Sequence, residues 1–325
     1  MIPASYAIAI VLVAQSAQSA AAQGAFGAAR PAECGMQEGF KAANKWERAK
    51  EPNLQGYCTL LASGTAKLVN AGALAKEVPA IADEADKLLP GRAAPSVLKG
   101  RALLRLGKPT EALKALEEAR TRDERALDDP VALLAWARAN ARTGHLDEAA
   151  QAYRAALPRT SALSTPERSA ASFEAGMIVM SQGPKVVDDA VAMLRQARRE
   201  AQDAMQLAAV VGLALALDRA GQKDEAKAVL AERVCADAKP VLKDARVLEA
   251  LADAGVAQEA DALLATALEP SDPPGAREAW KRYLEGAGGR GPWADHARAH
   301  EGASGGARPH ADSRPASAPA PKDRR

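Results

Sequence analysis

Leu106-Gly107-Lys108-Pro109-Thr110-Glu111-Ala112-Leu113 reads as the end of one helix, a tight turn and the start of the next. The glycine permits a left-handed helix end, and the acidic residue just after it favours the positive N-terminus of the following helix. The same shape returns at Thr143-Gly144-His145-Leu146-Asp147-Glu148-Ala149-Ala150, at Ala220-Gly221-Gln222-Lys223-Asp224-Glu225-Ala226-Lys227 and at Ala254-Gly255-Val256-Ala257-Gln258-Glu259-Ala260-Asp261. A looser copy runs from Ser181-Gln182-Gly183 to Asp188-Asp189-Ala190-Val191 with about two extra residues.

A fixed period of this kind decides the architecture before any local reading does. The alanines that follow the acidic positions, Ala112, Ala149, Ala190, Ala226 and Ala260, lie 37, 41, 36 and 34 residues apart. Four and seven residues beyond them come Leu116 and Ala119, Tyr153 and Ala156, Leu194 and Ala197, Leu230 and Arg233, Leu264 and Ala267. An i, i+4, i+7 series is one helical face, and small-large-small lets a partner helix approach around one bulky side chain. The preceding helices carry the complementary stripe, Gly100, Leu103 and Leu104 in the first copy and Leu133, Trp136 and Ala137 in the second.

This pattern resembles the tetratricopeptide repeat family. The resemblance covers about residues 93–270 in five copies, of which the second is nearest the family pattern and the third the loosest. It implies an all-α fold, a right-handed α-solenoid of tetratricopeptide-like helical hairpins with atypical capping helices. Lys99 and Arg233 depart from it, standing where the family has a large apolar and a small residue. Thr165 as N-cap with Pro166 behind it, and Asp129-Pro130 one copy earlier, restart helices after longer turns.

Composition agrees with helices. The chain has 325 residues, 48% of them hydrophobic, and only 3% are aromatic; much of the hydrophobic share is alanine, the best helix former. Strands favour the β-branched and aromatic residues that are scarce here, which excludes an all-β fold. With 43 Lys and Arg against 41 Asp and Glu the net charge is +2, so there is no whole-protein basic field for nucleic acid. The tail from Gly302 to Arg325 alone holds five basic and two acidic residues, leaving the body nearly neutral.

The ends read differently from the repeats. Ala4 to Ala14 is an apolar run too short to span a bilayer comfortably, followed by Ala20-Ala21-Ala22. Residues 1–22 are therefore expected to be a cleaved signal peptide, giving a periplasmic or secreted protein; the alternative is an uncleaved membrane anchor facing the periplasm. Residues 23–92 are expected to form an N-terminal helical cap and a degenerate repeat, including a helix through Gly39 to Ala49 and a pair from Asn53 to Val69 and Leu74 to Leu89. Residues 271–301 read as a capping hairpin with Trp280, Tyr283 and Trp293 as packing anchors. Residues 302–325, rich in Gly, Ala, Ser, Pro and Arg, are expected to be a disordered tail.

Export to an oxidising compartment changes the reading of the cysteines. Cys34 and Cys58 lie 24 positions apart in two expected helices separated by Glu51-Pro52-Asn53, and a disulfide between them is expected. Cys235 is left over, a buried small hydrophobe or a group for pairing with another chain.

No HExxH, P-loop or EF-hand pattern occurs, so neither an enzyme nor a cofactor is expected. The histidines are His145, His296, His300 and His310. His296 and His300 stand one helical turn apart beside Asp295 and Glu301, but the sequence places no third ligand, and no metal site is expected. In the tetratricopeptide family the first helix of each repeat lines a concave groove, and by that resemblance Arg101, Arg105, Arg138, Arg142 and Arg219 face it. Two i, i+4 arginine pairs suit carboxylates or phosphates. The chaperone-binding members use a Lys and Asn clamp where Val97, Leu98 and Arg101 stand here, so chaperone tail binding is not implied. The expected function is a non-enzymatic interaction scaffold of the cell envelope that binds a protein or peptide partner of acidic character. The alternative is a membrane-anchored spacer or self-association module, with membrane contact only if the N-terminal helix is uncleaved.

Overall fold

A computed structural model describes residue 34 and residues 52–69, 72–231 and 242–303. The expected signal segment, the helix through Gly39 to Ala49, Arg233, Cys235 and the chain after Ala303 lie outside the described residues. Among those described, the regular structure is entirely helical. The helices are α1 (Leu54–Val69), α2 (Val78–Leu88), α3 (Ala93–Arg105), α4 (Pro109–Arg122), α5 (Pro130–Arg142), α6 (Leu146–Ala156) and α7 (Thr165–Ser181). They continue as α8 (Val187–Glu200), α9 (Asp203–Arg219), α10 (Lys223–Ala231), α11 (Ala245–Asp253), α12 (Glu259–Leu268), α13 (Pro273–Glu285) and α14 (Ala294–Ala303). None is long and apolar enough to cross a membrane.

The repeated glycine does what its spacing predicts. Gly107, Gly144, Gly183, Gly221 and Gly255 all have positive φ, between 67° and 109°. In four of the five turns the next residue's N–H bonds the carbonyl five residues back, as in Lys108 to Leu103 at 2.9 Å and Gln222 to Leu217 at 2.8 Å. These are Schellman ends, which satisfy the last carbonyls of one helix while reversing the chain. The looser third copy instead inserts a short 3-10 turn, Pro184–Val186, before α8. Helix starts also follow the local chemistry. The Asp129 carboxylate accepts from the Val131 N–H at 2.9 Å. Before α7 the N-cap is Ser164, one residue earlier than expected. Counted from Ser164, Glu167 is the third helical residue, and its carboxylate accepts from both the backbone N–H and the hydroxyl of Ser164.

Consecutive helices pack as antiparallel hairpins α1/α2, α3/α4, α5/α6, α7/α8 and α9/α10, stacked into an all-α solenoid. The small-large-small register explains the close approach. A Cβ placed on Gly100 would stand 2.6 Å from Leu116 Cγ, and one on Gly176 would stand 2.5 Å from Leu194 Cγ. Both leucines are fully buried. The glycine is thus the hole and the leucine the knob in hairpins α3/α4 and α7/α8.

The fifth copy departs from a simple continuation. Helix α11 lies against α5, α7 and α9, so the chain folds back over the face that the first helices of hairpins α5/α6, α7/α8 and α9/α10 present. Gly255, in the turn after α11, sits so near α5 that a Cβ there would stand 2.4 Å from the Ala141 carbonyl oxygen. This closure accounts for two helices with no polar stripe. Ser169 and Ala171 to Met180 of α7, and Ala208 to Leu217 of α9, are buried on all faces. A helix apolar all round needs cover all round. One large apolar core accordingly runs from α5 to α14, with two smaller ones under α1–α3 and α3–α5. Cys34 and Cys58 are disulfide-bonded with Cα atoms 5.7 Å apart, and both belong to the first of the smaller cores.

Candidate functional site

The five arginines assigned to the groove by register do not share one environment. Arg138 of α5 makes a two-pronged bond to Glu174 of α7, Nε to Oε2 at 2.8 Å and Nη2 to Oε1 at 2.9 Å. Tyr153 of α6 donates its hydroxyl to the same Oε2 at 2.9 Å. Asp253, the last residue of α11, pairs with Arg142 and stands 3.7 Å from Arg138 Nε. Burial works against the charge of Arg138, but the carboxylates of Glu174 and Asp253 outweigh it and hold its pKa well above the ordinary value. Arg138 and Arg142 therefore face the folded-back chain, and internal carboxylates neutralise them. That corrects their assignment to an open groove.

Arg219, at the end of α9, is buried deeper still. Its Nη2 lies 2.9 Å from Glu259 Oε2 of α12 and donates to the Tyr283 hydroxyl at 3.3 Å. The guanidinium carbon is 5.0 Å from the Trp293 ring centroid and 5.8 Å from that of Tyr283. Ring faces replace part of the hydration that burial removes. Burial and the neighbouring Glu259 push the Tyr283 hydroxyl up to about 12. Arg219 is thus an internal anchor of the carboxyl-terminal cap and is withdrawn from any groove. Trp280, Tyr283 and Trp293 are buried as the sequence predicts. Trp293 also donates from Nε1 to the Met180 carbonyl at 2.7 Å, tying the cap to the end of α7.

Arg101 and Arg105 of α3 form the remainder. Neither side chain has an ion pair or hydrogen bond among the described residues. Arg105 is exposed and Arg101 half-buried. Burial lowers the pKa of Arg101, opposed only by the more distant carboxylates of Asp129 and Glu167. A partly desolvated guanidinium without a counter-ion, one helical turn from a second one, is a ready donor site for a carboxylate.

A second constellation comes from Asp218, next to Arg219. Its Oδ2 accepts from Nε2 of His296 and from Nε2 of His300, each at 2.8 Å. His300 Nδ1 donates to Glu269 Oε1 at 2.7 Å, and that oxygen also accepts from Trp280 Nε1 at 2.8 Å. Burial works against the charge of Asp218, yet the two histidine bonds hold it well below the usual carboxylate range. Bonds to Asp218 and Glu269 pull His300 up to about 9. The two imidazoles lie with ring centroids 4.5 Å apart. Sequence reasoning had the histidine pair but not Asp218, 78 positions earlier, which closes a three-donor set. The pairing roles of Glu174, Asp253 and Glu259 are hidden for the same reason, Glu259 being read only as the acidic start of a helix. Glu174 and Glu259 left a trace, standing 36 residues after Arg138 and 40 after Arg219, about one repeat period on.

No family model and no curated protein matches the chain. One similar solved structure is that of the nearly identical TPR-like repeats of a kinesin light chain from Podosopora anserina, 20% identical, with a TM-score of 0.40. The match covers 56% of this chain and 92% of that one.

Proposed function

We propose that this chain is a non-enzymatic interaction scaffold of the cell envelope whose binding surface is the exposed side of α3, where Arg101 and Arg105 take carboxylates of an extended acidic peptide. The observation that carries the reading is the contrast in charge satisfaction along one register. Arg138 and Arg142 stand 37 residues after Arg101 and Arg105 and are neutralised internally, while the earlier pair has no internal counter-ion among the described residues. A stack of hairpins presents such a face to an elongated ligand, and charged groups there set orientation and specificity. The disulfide between Cys34 and Cys58 fits an oxidising compartment, as does the short apolar segment near Met1.

A fluorescein-labelled oligoglutamate peptide titrated against the full chain tests this. Arg101→Gln with Arg105→Gln should weaken binding about tenfold or more, equivalent to roughly 1.4 kcal/mol, whereas Arg142→Gln should leave it unchanged. Equal binding by the double variant and the wild type would refute the α3 assignment. Mass spectrometry of the protein from its native cell should find an N-terminus near Gln23; an intact Met1 would refute export with cleavage.

A further inference from the structure

We propose that Asp218, His296 and His300 bind one divalent transition-metal ion of the zinc type, which clasps α14 onto the end of α9. The argument starts from helix geometry. His296 and His300 are spaced i, i+4, so both rings leave the same face of α14, and both Nε2 atoms point to the same carboxylate oxygen on another helix. The three donor atoms all lie within 4.8 Å of one another. A tetrahedral ion with bonds of about 2.0–2.1 Å needs donors about 3.3 Å apart, so the 2.8 Å contacts need open by only about 0.5 Å to admit it.

The surroundings give His300 the outer layer that a metal-binding histidine needs. Glu269 accepts from Nδ1 of His300 and so turns Nε2 toward the shared point, while Trp280 fixes that carboxylate through its Nε1–H. A carboxylate behind a ligating histidine sets its tautomer and raises its basicity. The Trp280 ring lies 5.9 Å from the His296 ring and 5.3 Å from the His300 ring, walling one side of the site. Asp218, His296 and His300 side chains keep 15%, 17% and 20% of their exposure, so an ion can enter from solvent and a water can complete its coordination. Two imidazoles and one carboxylate suit zinc and its neighbours; calcium and magnesium prefer all-oxygen sites.

The site uses none of the residues of the acidic-peptide surface, so either can fail alone. The full chain, stripped with a chelator and dialysed, is titrated with zinc chloride in a calorimeter. One ion should bind per chain. His300→Ala and Asp218→Asn should each weaken binding about 100-fold or more, and Glu269→Gln about 10- to 100-fold. Cobalt(II) in place of zinc should give the intense visible bands of a four-coordinate ion, lost in the same variants. Asp218→Asn keeps the shape and one acceptor oxygen, and circular dichroism in the absence of metal establishes that each variant is folded. No stoichiometric binding by the wild type overturns the proposal. So does unchanged affinity in folded Asp218→Asn and His300→Ala, which would assign the zinc to other histidines.

Discussion

Hairpins α3/α4 and α7/α8 are built on the same local plan and end in different circumstances. Each puts a glycine of its first helix against a leucine of its second, Gly100 on Leu116 and Gly176 on Leu194. Helix α3 keeps its two groove-register arginines without internal partners, while α7 is enclosed by α8, α9 and α11 and buries Glu174 as the acceptor of an arginine and a tyrosine. The difference teaches that the hairpin repeat fixes how neighbours stack but not whether the stack stays open. Closure depends on what the chain does about 75 residues later, when α11 arrives over α5, α7 and α9.

The contrast can be broken most forcefully at Glu174. Glu174→Ala leaves Arg138 with only the more distant Asp253 and the buried Tyr153 hydroxyl with a weak contact, and should cost about 3–5 kcal/mol. Urea unfolding would measure the total, and hydrogen exchange should place the loss in α5–α14 with α1–α4 protected as before. Equal loss in both regions would mean that they are one cooperative unit. The disulfide probes the opposite end. Cys34→Ser with Cys58→Ser removes a link across 24 residues and should cost about 2–4 kcal/mol. In thermal unfolding that loss belongs to α1–α3, and an unchanged transition of the larger core is the expected signature. The smallest and most discriminating effect comes from matched substitutions. Gly100→Ala and Gly176→Ala should each cost about 1–3 kcal/mol by overpacking, with Gly176 the larger. Leu194 is also hemmed in by Gly212, whose Cβ position lies 3.3 Å from its Cδ2, so it has less room to yield. Equal urea midpoints for the two variants would show that closure adds no rigidity.

Much of the fold was legible because it is local. A glycine that must reverse a helix end, an aspartate that caps, and alternation of small and large residues each act within one or two turns. The five repeat glycines, the Asp129 cap and the burial of Trp280, Tyr283 and Trp293 follow from them. The Ser164 cap differs by one residue from the expected Thr165 because Thr is also a capping type, and the count to Glu167 separates them. The candidate sites were less legible, since ion pairs between residues 36, 78 or 111 positions apart leave no periodic mark within a helix. One signal for closure was present. Eleven consecutive apolar residues from Leu207 to Leu217 have no side to offer water, and a helix lining an open groove requires one.

The bond from the Tyr153 hydroxyl to the Asp253 carbonyl joins residues 100 positions apart. A chain made from its amino end at about 5–20 residues per second exposes α5 and α6 roughly 5–20 s before α11 exists to cover them. Until α11 is made, Arg142 lacks its partner Asp253 and the faces of α7 and α9 that α11 covers are bare. The carboxyl-terminal quarter thus supplies the closing step of folding, and a truncation after α10 should yield a sticky intermediate in place of a shorter repeat protein.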